Sequence, residues 1–176
     1  ELTVADYDGY ADLGIELKDY VATVEIRRPP LNFFDFDLIR QIAGAYEQLD
    51  EDDNCRAIVL CSQGKVFCAG ANFAARESGE EPTDQAGQLY IEAVRMFRTS
   101  KPVVAAVQGA AVGGGLGLAV SADFRIACAE SRFCANFARL GFHQGFGLSV
   151  TLPRLIGPTQ AERMFYTGRR VKGDEA

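Results

Sequence analysis

Runs of alternating or consecutive apolar residues, separated by short polar breaks, predict strands and helices in turn along the chain. Residues 14–18 and 21–27 form two such runs on either side of Asp19 and Tyr20, a pattern typical of a hairpin. Between residues 38 and 49 the apolar positions recur at helical spacing, and we expect Asp37 to cap this helix. Those apolar positions are Leu38, Ile42, Ala43, Tyr46 and Leu49.

The same criteria extend the pattern along the rest of the chain. Short apolar runs predict strands at residues 57–61, 103–107, 124–127 and 132–135. Runs ended by glycine or proline predict helices at residues 85–98, 148–156 and 159–167. A further apolar helix is predicted at residues 116–120, directly after glycines, and residues 171–176 suggest the start of another. Strand, turn and helix recur without a linker, so the sequence predicts one α/β domain built as a repeated ββα spiral.

Two turns rich in small residues follow predicted strands. The glycines at 113–115 lie between the strand at 103–107 and the helix at 116–120, and residues 66–73 (VFCAGANF) follow the strand at 57–61. A helix that opens out of glycines leaves backbone N–H groups unpaired at its N-terminus, where negative charge is favoured. Two such turns could each aim one N–H at the oxygen of a thioester. Alternatively, the glycines only let a buried helix pack closely on a strand.

With these two stretches, the chain resembles the crotonase superfamily, the enoyl-CoA hydratase/isomerase fold. The carrying motifs are VFCAGANF at residues 66–73 and KPVVAAVQGAAVGGG at residues 101–115, and the resemblance covers nearly the whole chain. It implies an acyl-CoA-binding core domain over residues 1–176 with a crotonase-like ββα spiral. Because members of that family continue into a further helical segment, we expect the chain to be incomplete at its C-terminal end. The resemblance also implies a homotrimer or a dimer of trimers.

The resemblance assigns binding residues as well. The two oxyanion N–H groups of the family fall on Ala71 and Gly114. Coenzyme A, as part of the substrate and not as a permanently bound cofactor, is expected to contact the segment around the first turn. Those contacts are Leu31, Ala69, Ala71, Asn72 and Phe73. Asn72 replaces the aspartate that is usual in the family, and it can still cap the following turn.

The carboxylates of the family's hydratases are missing. The first of their two glutamates falls on Gly117 and the second on Phe137, and neither residue can transfer a proton. The related dehalogenase branch needs an aspartate at the position of Gly145. We therefore expect neither standard hydration nor dehalogenation.

The remaining candidates for acid–base chemistry lie in the glycine-rich loop of residues 140–147. His143, the one histidine of the chain, is a candidate acid or base near neutral pH, and Gln144 could act through a bound water. The alternative is a loop histidine that is hydrogen-bonded to the backbone. Asn136 is interpreted as a turn residue.

Three functions remain open: a crotonase-type lyase, isomerase or hydrolase, a non-catalytic acyl-CoA binder, and a structural subunit of a mixed oligomer. We favour the enzyme, since the structural subunit would leave the glycine turns unexplained. A set of phenylalanines would favour an apolar or aromatic acyl group, although such residues are more often core. They are Phe67, Phe73, Phe137, Phe142 and Phe146.

Composition and charge limit the kinds of partner that we expect for the chain. The 176 residues are 48% hydrophobic, with a net charge of −6, so we expect a substantial core and no nucleic-acid partner. No apolar run reaches the length of a membrane span, and no metal site is predicted. The five cysteines are odd in number and show no CxxC spacing, which favours buried, reduced thiols and a cytoplasmic location. Cys68 is interpreted as small core filler, since no histidine close in sequence could activate it.

Overall fold

The computed structural model describes Tyr7, residues 9–72 and residues 86–176. Its strands are β1 (Leu13–Lys18), β2 (Val21–Ile26), β3 (Ala57–Ser62), β4 (Val103–Val107), β5 (Ala110–Val112), β6 (Phe124–Ala127), β7 (Arg132–Cys134) and β8 (Arg170–Lys172). Its helices are α1 (Phe36–Asp50), α2 (Ala86–Met96), α3 (Gly114–Ser121), α4 (Leu148–Ile156) and α5 (Pro158–Thr167), with a short 3₁₀ helix at Phe137–Leu140.

Two sheets organise these elements. The larger sheet has the strand order β1-β2-β3-β4-β6, in which β1 and β2 are antiparallel and the other neighbours are parallel. The smaller sheet has the order β5-β7-β8. Parallel neighbours joined through helices make this an α/β fold, as the sequence predicts.

The first hairpin follows the prediction closely. Asp19 and Tyr20 both have positive φ angles, 50° and 67°, and Lys18 pairs directly with Val21 across the turn. A two-residue turn with positive φ at both positions matches the twist of the strands that it joins.

The N-cap of helix α1 lies two residues before the predicted one. The carboxylate of Asp35, and not that of Asp37, accepts a hydrogen bond from the backbone N–H of Leu38 at 2.9 Å. Asp35 has the extended backbone of an N-cap, whereas Asp37 lies in the first helical turn and pairs with Arg40. The predicted apolar positions are all buried, so the helical spacing identified the core-facing side correctly.

The prediction of a helix at the C-terminal end is wrong. Residues 170–172 form strand β8, which pairs with β7 and buries Val171 opposite Phe133. Tertiary pairing decides the conformation of so short a segment, because local preference is weak there. Strand β5, which has three residues, and the 3₁₀ helix were not predicted.

Helix α3 is enclosed by the core. It begins at Gly114, and its residues from Gly114 to Val120 are all buried, which explains why it is apolar on every side. The guanidinium of Arg125 donates to the carbonyl oxygen of Ala122 at 2.6 Å, just beyond the last turn of the helix. A cation there stabilises the negative end of the helix dipole.

Strand β6 lies at an edge of the larger sheet. Its side chains alternate, so Phe124 and Ile126 lie on the side opposite to Arg125 and remain exposed. None of the helices in the described ranges combines the length and the apolar character that crossing a membrane would require.

The cysteines differ in their environments. Cys55, Cys68 and Cys134 are buried, and Cys61 is half-buried. Cys128 is exposed, which corrects the prediction that all five thiols are buried. It follows β6 in a tight turn, where its N–H donates to the Ser131 hydroxyl. The apolar run before it is itself exposed, so apolar neighbours in the sequence do not indicate burial here.

Candidate functional site

A cavity of about 550 Å³ opens between the two glycine turns, helix α2 and the loop that follows β7. Its wall is mostly apolar, as is usual for a small-molecule site. The described residues that line it are Phe33, Phe34, Ala69, Gly70, Ala71, Asn72, Leu89, Tyr90, Val112, Gly113, Gly114, Asn136, Phe137, Leu140, Phe142, His143 and Phe146.

The two glycine turns lie side by side because backbone hydrogen bonds join them. The N–H of Cys68 donates to the carbonyl of Ala110 at 3.0 Å, and the N–H of Val112 donates to the carbonyl of Cys68 at 3.1 Å. Gly70 is required at this junction. Its φ is +87°, and a methyl group there would lie 2.8 Å from the Val112 carbonyl oxygen and 3.6 Å from the Gly114 nitrogen.

The structure places both predicted oxyanion residues, Ala71 and Gly114, on the wall of this one cavity. Ala71 lies opposite Phe34 in a β-bridge, in which the Phe34 N–H donates to the carbonyl of Gly70 at 3.0 Å. Gly114 is the first residue of α3, where an N–H has no acceptor within the helix. A side chain at Gly114 would overlap the ring of Phe34, so the close packing of this ring requires glycine.

The predicted coenzyme A contacts are only partly on this wall. Ala69 and Asn72 line the main cavity. Leu31 is 41% exposed and lines a smaller adjoining hollow of about 230 Å³, which it shares with Asn72 and Arg28. Phe73 lies outside the described residues.

The Leu31 segment is held in place by a buried amide. The carboxamide nitrogen of Asn32 donates to the carbonyls of Gln63 and Val66, at 2.9 and 2.7 Å. The carbonyl of Leu31 in turn accepts from the N–H of Ala69 at 3.0 Å. These bonds fix the segment against the first glycine turn.

The resemblance places the carboxylates of hydratases at Gly117 and Phe137, and apolar rings lie at or next to both positions. A methyl group at Gly117 would lie only 2.5 Å from the Cβ atom of Phe146. The Phe146 side chain is 2% exposed, and its ring packs against the ring of Phe34 with a centroid separation of 5.5 Å. Phe137 itself lines the cavity. The Phe146 side chain therefore fills the space next to Gly117, and the ring of Phe137 stands at the second position.

His143 lines the cavity and is exposed to solvent. Its Nδ1 atom lies 3.1 Å from the backbone carbonyl oxygen of Gln144, a distance suited to a hydrogen bond from a protonated Nδ1. Gln144 is not among the described residues that line the cavity. Its carboxamide oxygen is buried, without a hydrogen-bond partner in the described part of the chain.

Sequence reasoning did not single out Tyr90 and gave Asn136 no role in the site, although both residues line the cavity. A methyl group at Gly145 would lie 2.6 Å from the hydroxyl oxygen of Tyr90, and one at Gly113 would lie 2.9 Å from the amide oxygen of Asn136. The spacing of apolar residues in α2 identifies the buried side of the helix. Tyr90 lies next to that side, and the spacing does not indicate that it reaches the cavity. Asn136 had been interpreted as a turn residue.

The wall carries little charge. Among the described lining residues there is no carboxylate, lysine or arginine, and no three metal-ligating side chains come together anywhere in the described ranges. Burial raises the pKa of the nearby Cys68 thiol to about 12, so this thiol stays protonated at neutral pH. A protonated thiol is a poor nucleophile, in agreement with its interpretation as core filler.

Comparison with known proteins agrees with this architecture. The sequence model of the enoyl-CoA hydratase/isomerase family matches residues 16–176, so the chain belongs to this family. The fold is that of the crotonase superfamily, as predicted. A putative enoyl-CoA hydratase from Streptomyces coelicolor superposes with a TM-score of 0.86 at 30% identity, over 99% of this chain and 66% of that structure. DspI of Pseudomonas aeruginosa superposes with a TM-score of 0.87 at 27% identity, over 97% of this chain and 71% of that one.

Curated relatives are similar over nearly the whole chain. It is 33% identical to crotonyl-CoA hydratase of Syntrophomonas wolfei, over 95% of this chain and 66% of the relative. It is 35% identical to short-chain-enoyl-CoA hydratase of Clostridium acetobutylicum, over 92% of this chain and 64% of the relative. The chain thus spans slightly less than two thirds of the length of these relatives.

Proposed function

We propose that the chain binds an acyl-CoA thioester in the cavity and stabilises negative charge on the thioester oxygen with the backbone N–H groups of Ala71 and Gly114. The observation that carries this proposal is the contact between the two glycine turns, where a methyl group built on Gly70 would lie 3.6 Å from the Gly114 nitrogen. Donors fixed before the reaction stabilise a developing oxyanion without the cost of reorganisation.

The wall of the cavity supports an apolar or aromatic acyl group. Phenylalanine rings and aliphatic side chains make up most of it, and its volume of about 550 Å³ falls within the usual range for small-molecule sites. Coenzyme A would lie toward Leu31, Ala69 and Asn72, as part of the substrate. The names of the two hydratase relatives, which refer to crotonyl-CoA and to short-chain enoyl-CoA, support a CoA thioester as the ligand.

The reaction is proposed to differ from standard hydration. Hydration of a double bond needs groups that deliver and remove a proton, and neither Gly117 nor Phe137 can do so. His143 is the proposed acid–base residue on the open side of the cavity. With a proton on Nδ1, facing the carbonyl of Gln144, its Nε2 atom would be the acceptor. Isomerase, lyase and hydrolase reactions all remain compatible with such a site.

A second candidate function is acyl-CoA binding without catalysis. The observation that favours it is the described cavity wall, which carries no carboxylate. The homotrimer, or dimer of trimers, that the resemblance implies stays a prediction, as does the cytoplasmic location that the cysteines favour.

A panel of acyl-CoA thioesters tests the proposal and separates the two functions. We expect calorimetry to detect binding and mass spectrometry to detect a product from at least one apolar or aromatic thioester, while crotonyl-CoA is hydrated slowly or not at all. Binding without any product would favour the non-catalytic function. Rapid hydration of crotonyl-CoA would contradict the role assigned to Gly117 and Phe137, and an absence of binding would refute the proposal.

A further inference from the structure

Helix α2 brings a second proton-transferring group to the cavity. Four polar side chains line the described wall, and two of them, Asn72 and Asn136, are carboxamides, which do not act as acids or bases. The other two are His143 and Tyr90. A phenolic hydroxyl both donates and accepts hydrogen bonds, and tyrosine is among the residues that transfer protons in enzymes.

The hydroxyl of Tyr90 lies where the wall has lost its carboxylates. It is 2.6 Å from the place that a Gly145 side chain would occupy, and the Cε1 atom of Phe137 is 3.2 Å from that same place. The resemblance puts a carboxylate at both positions, the nucleophile of the dehalogenase branch at Gly145 and the second glutamate of hydratases at Phe137, and Phe137 lines the cavity. The phenol of Tyr90, on helix α2, thus lies next to Phe137 and Gly145, two residues of the segment after β7 that carry no polar side chain.

The ring of Phe137 connects this region with the second glycine turn. Its Cζ atom lies 3.6 Å from a methyl group built on Gly145 and 3.9 Å from one built on Gly113. We expect a thioester whose oxygen is bound at Gly114 to extend its acyl carbons along this ring toward the Tyr90 hydroxyl.

The position of Tyr90 is set by contacts between α2 and α1. Leu89, Ala93 and Met96 are buried on one side of α2. The guanidinium of Arg95 binds the carboxylate of Glu47 on α1 through two hydrogen bonds, at 2.8 and 2.5 Å. A helix fixed in this way holds its side chains more precisely than a loop does.

From this arrangement we infer that Tyr90 is a catalytic residue, which transfers a proton to and from the acyl carbon next to the thioester carbonyl (C2). This inference rests on the proposed function. The electron pair of the thioester enolate takes the phenolic proton, so that a C–H bond forms as the O–H bond breaks. The phenolate then recovers a proton from water, which reaches it because Tyr90 is 47% exposed. In reverse, the phenolate removes the proton from C2 and the negative charge moves to the oxygen held by Ala71 and Gly114.

Exchange of hydrogen at C2 tests this role without knowledge of the full reaction. The full chain is incubated in D₂O with butyryl-CoA and with phenylacetyl-CoA, and deuterium at C2 is followed by mass spectrometry. We expect the wild-type chain to introduce deuterium, and Tyr90→Phe to lower the exchange rate by about a hundredfold, which is typical of an acid–base group. Calorimetry should show that Tyr90→Phe binds both thioesters as the wild type does.

Two further variants serve as a control and as a second test of the role of Tyr90. Tyr166→Phe removes the hydroxyl of an exposed tyrosine on α5 that is not part of the described cavity wall, and it should exchange at the wild-type rate. Gly145→Ala keeps Tyr90 but places a methyl group 2.6 Å from its hydroxyl, so it should also slow the exchange. This second variant tests the inference even if Tyr90→Phe fails to fold.

The inference is overturned if Tyr90→Phe, or Gly145→Ala when Tyr90→Phe does not fold, exchanges C2 hydrogen at the wild-type rate. It is also overturned if the wild-type chain binds the thioesters but introduces no deuterium. Failure to bind any thioester would instead refute the proposed function.

Discussion

Phe146 occupies the space into which a side chain at Gly117 would extend. A methyl group at Gly117 would come within 2.5 Å of the Phe146 Cβ atom and within 3.0 Å of its ring. Because the Cβ atom is tied to the backbone, rotation of the ring cannot relieve this contact. Packing against Phe146 therefore requires glycine at position 117. The same residue also lacks the carboxylate that the resemblance places there.

Gly117→Ala should consequently destabilise the fold. Alanine normally stabilises a helix by about 1 kcal/mol relative to glycine, but overpacking a core typically costs about 1–3 kcal/mol. We expect the overpacking to prevail in urea denaturation. Gly44→Ala in the middle of α1 is the control, since its methyl group meets only Tyr10 at 3.7 Å and should stabilise the chain. A Gly117→Ala variant more stable than the wild type would contradict the packing described here.

Gly70→Ala should weaken thioester binding. The substitution strains a backbone with φ of +87° and forces a methyl group to 2.8 Å from the Val112 carbonyl, so the two glycine turns must separate. Gly64→Ala is a matched control, because Gly64 has the same φ but its methyl group meets only Pro29 at 3.7 Å. In both variants, backbone strain should lower the free energy of unfolding by about 1–3 kcal/mol. Calorimetry with an acyl-CoA should show weaker binding for Gly70→Ala but not for Gly64→Ala. Equal affinities of the two variants would show that the turn at Gly70 is not part of the binding site.

His143→Gln should keep acyl-CoA binding and lower turnover by about a hundredfold. Binding is retained because the two glycine turns and the Leu31 segment do not depend on the imidazole. The measurement compares affinity and turnover for whichever thioester the wild-type chain converts fastest. If turnover is normal, His143 is only a loop residue that is hydrogen-bonded to the backbone.

The cysteines should differ in their reaction with iodoacetamide. The native chain is expected to be alkylated first at Cys128, which is exposed, and last at Cys68, which is buried and whose pKa is raised by burial to about 12. Peptide mass spectrometry at successive times gives the order. The unfolded chain is the control, since all five thiols should then react at similar rates. Early modification of Cys68 in the native chain would show that this thiol is more accessible than the structure indicates.

Sequence patterns predicted elements with many local signals better than those determined by distant contacts. The helical spacing identified the buried side of α1, and Asp19 and Tyr20 marked the hairpin turn. Asp35 and not Asp37 caps the helix because Asp35 has the extended backbone of an N-cap. The sequence pattern does not determine at which of the two residues the helix begins. Val171 was placed in a helix because its pairing with Phe133 across the smaller sheet has no local signal.

The candidate site shows the same distinction. The two small-residue turns are visible in sequence, and the family resemblance assigns the oxyanion N–H groups within them to Ala71 and Gly114. The structure puts both residues on one cavity wall, and their role stays a prediction. Tyr90 was not predicted, since its approach to Gly145 depends on how α2 packs against α1. Side chains that reach a site from a separate helix leave no spacing pattern that connects them with the motif.

The exposed edge strand β6 affects how the chain behaves in concentrated solution. Phe124 and Ile126 present apolar surface on a strand that pairs only with β4 among the described residues, and such an edge can pair with a strand of another molecule. The net charge of −6 opposes that association by mutual repulsion, which dissolved salt screens. Concentrated preparations should therefore stay clear in dilute buffer and turn turbid as salt is added.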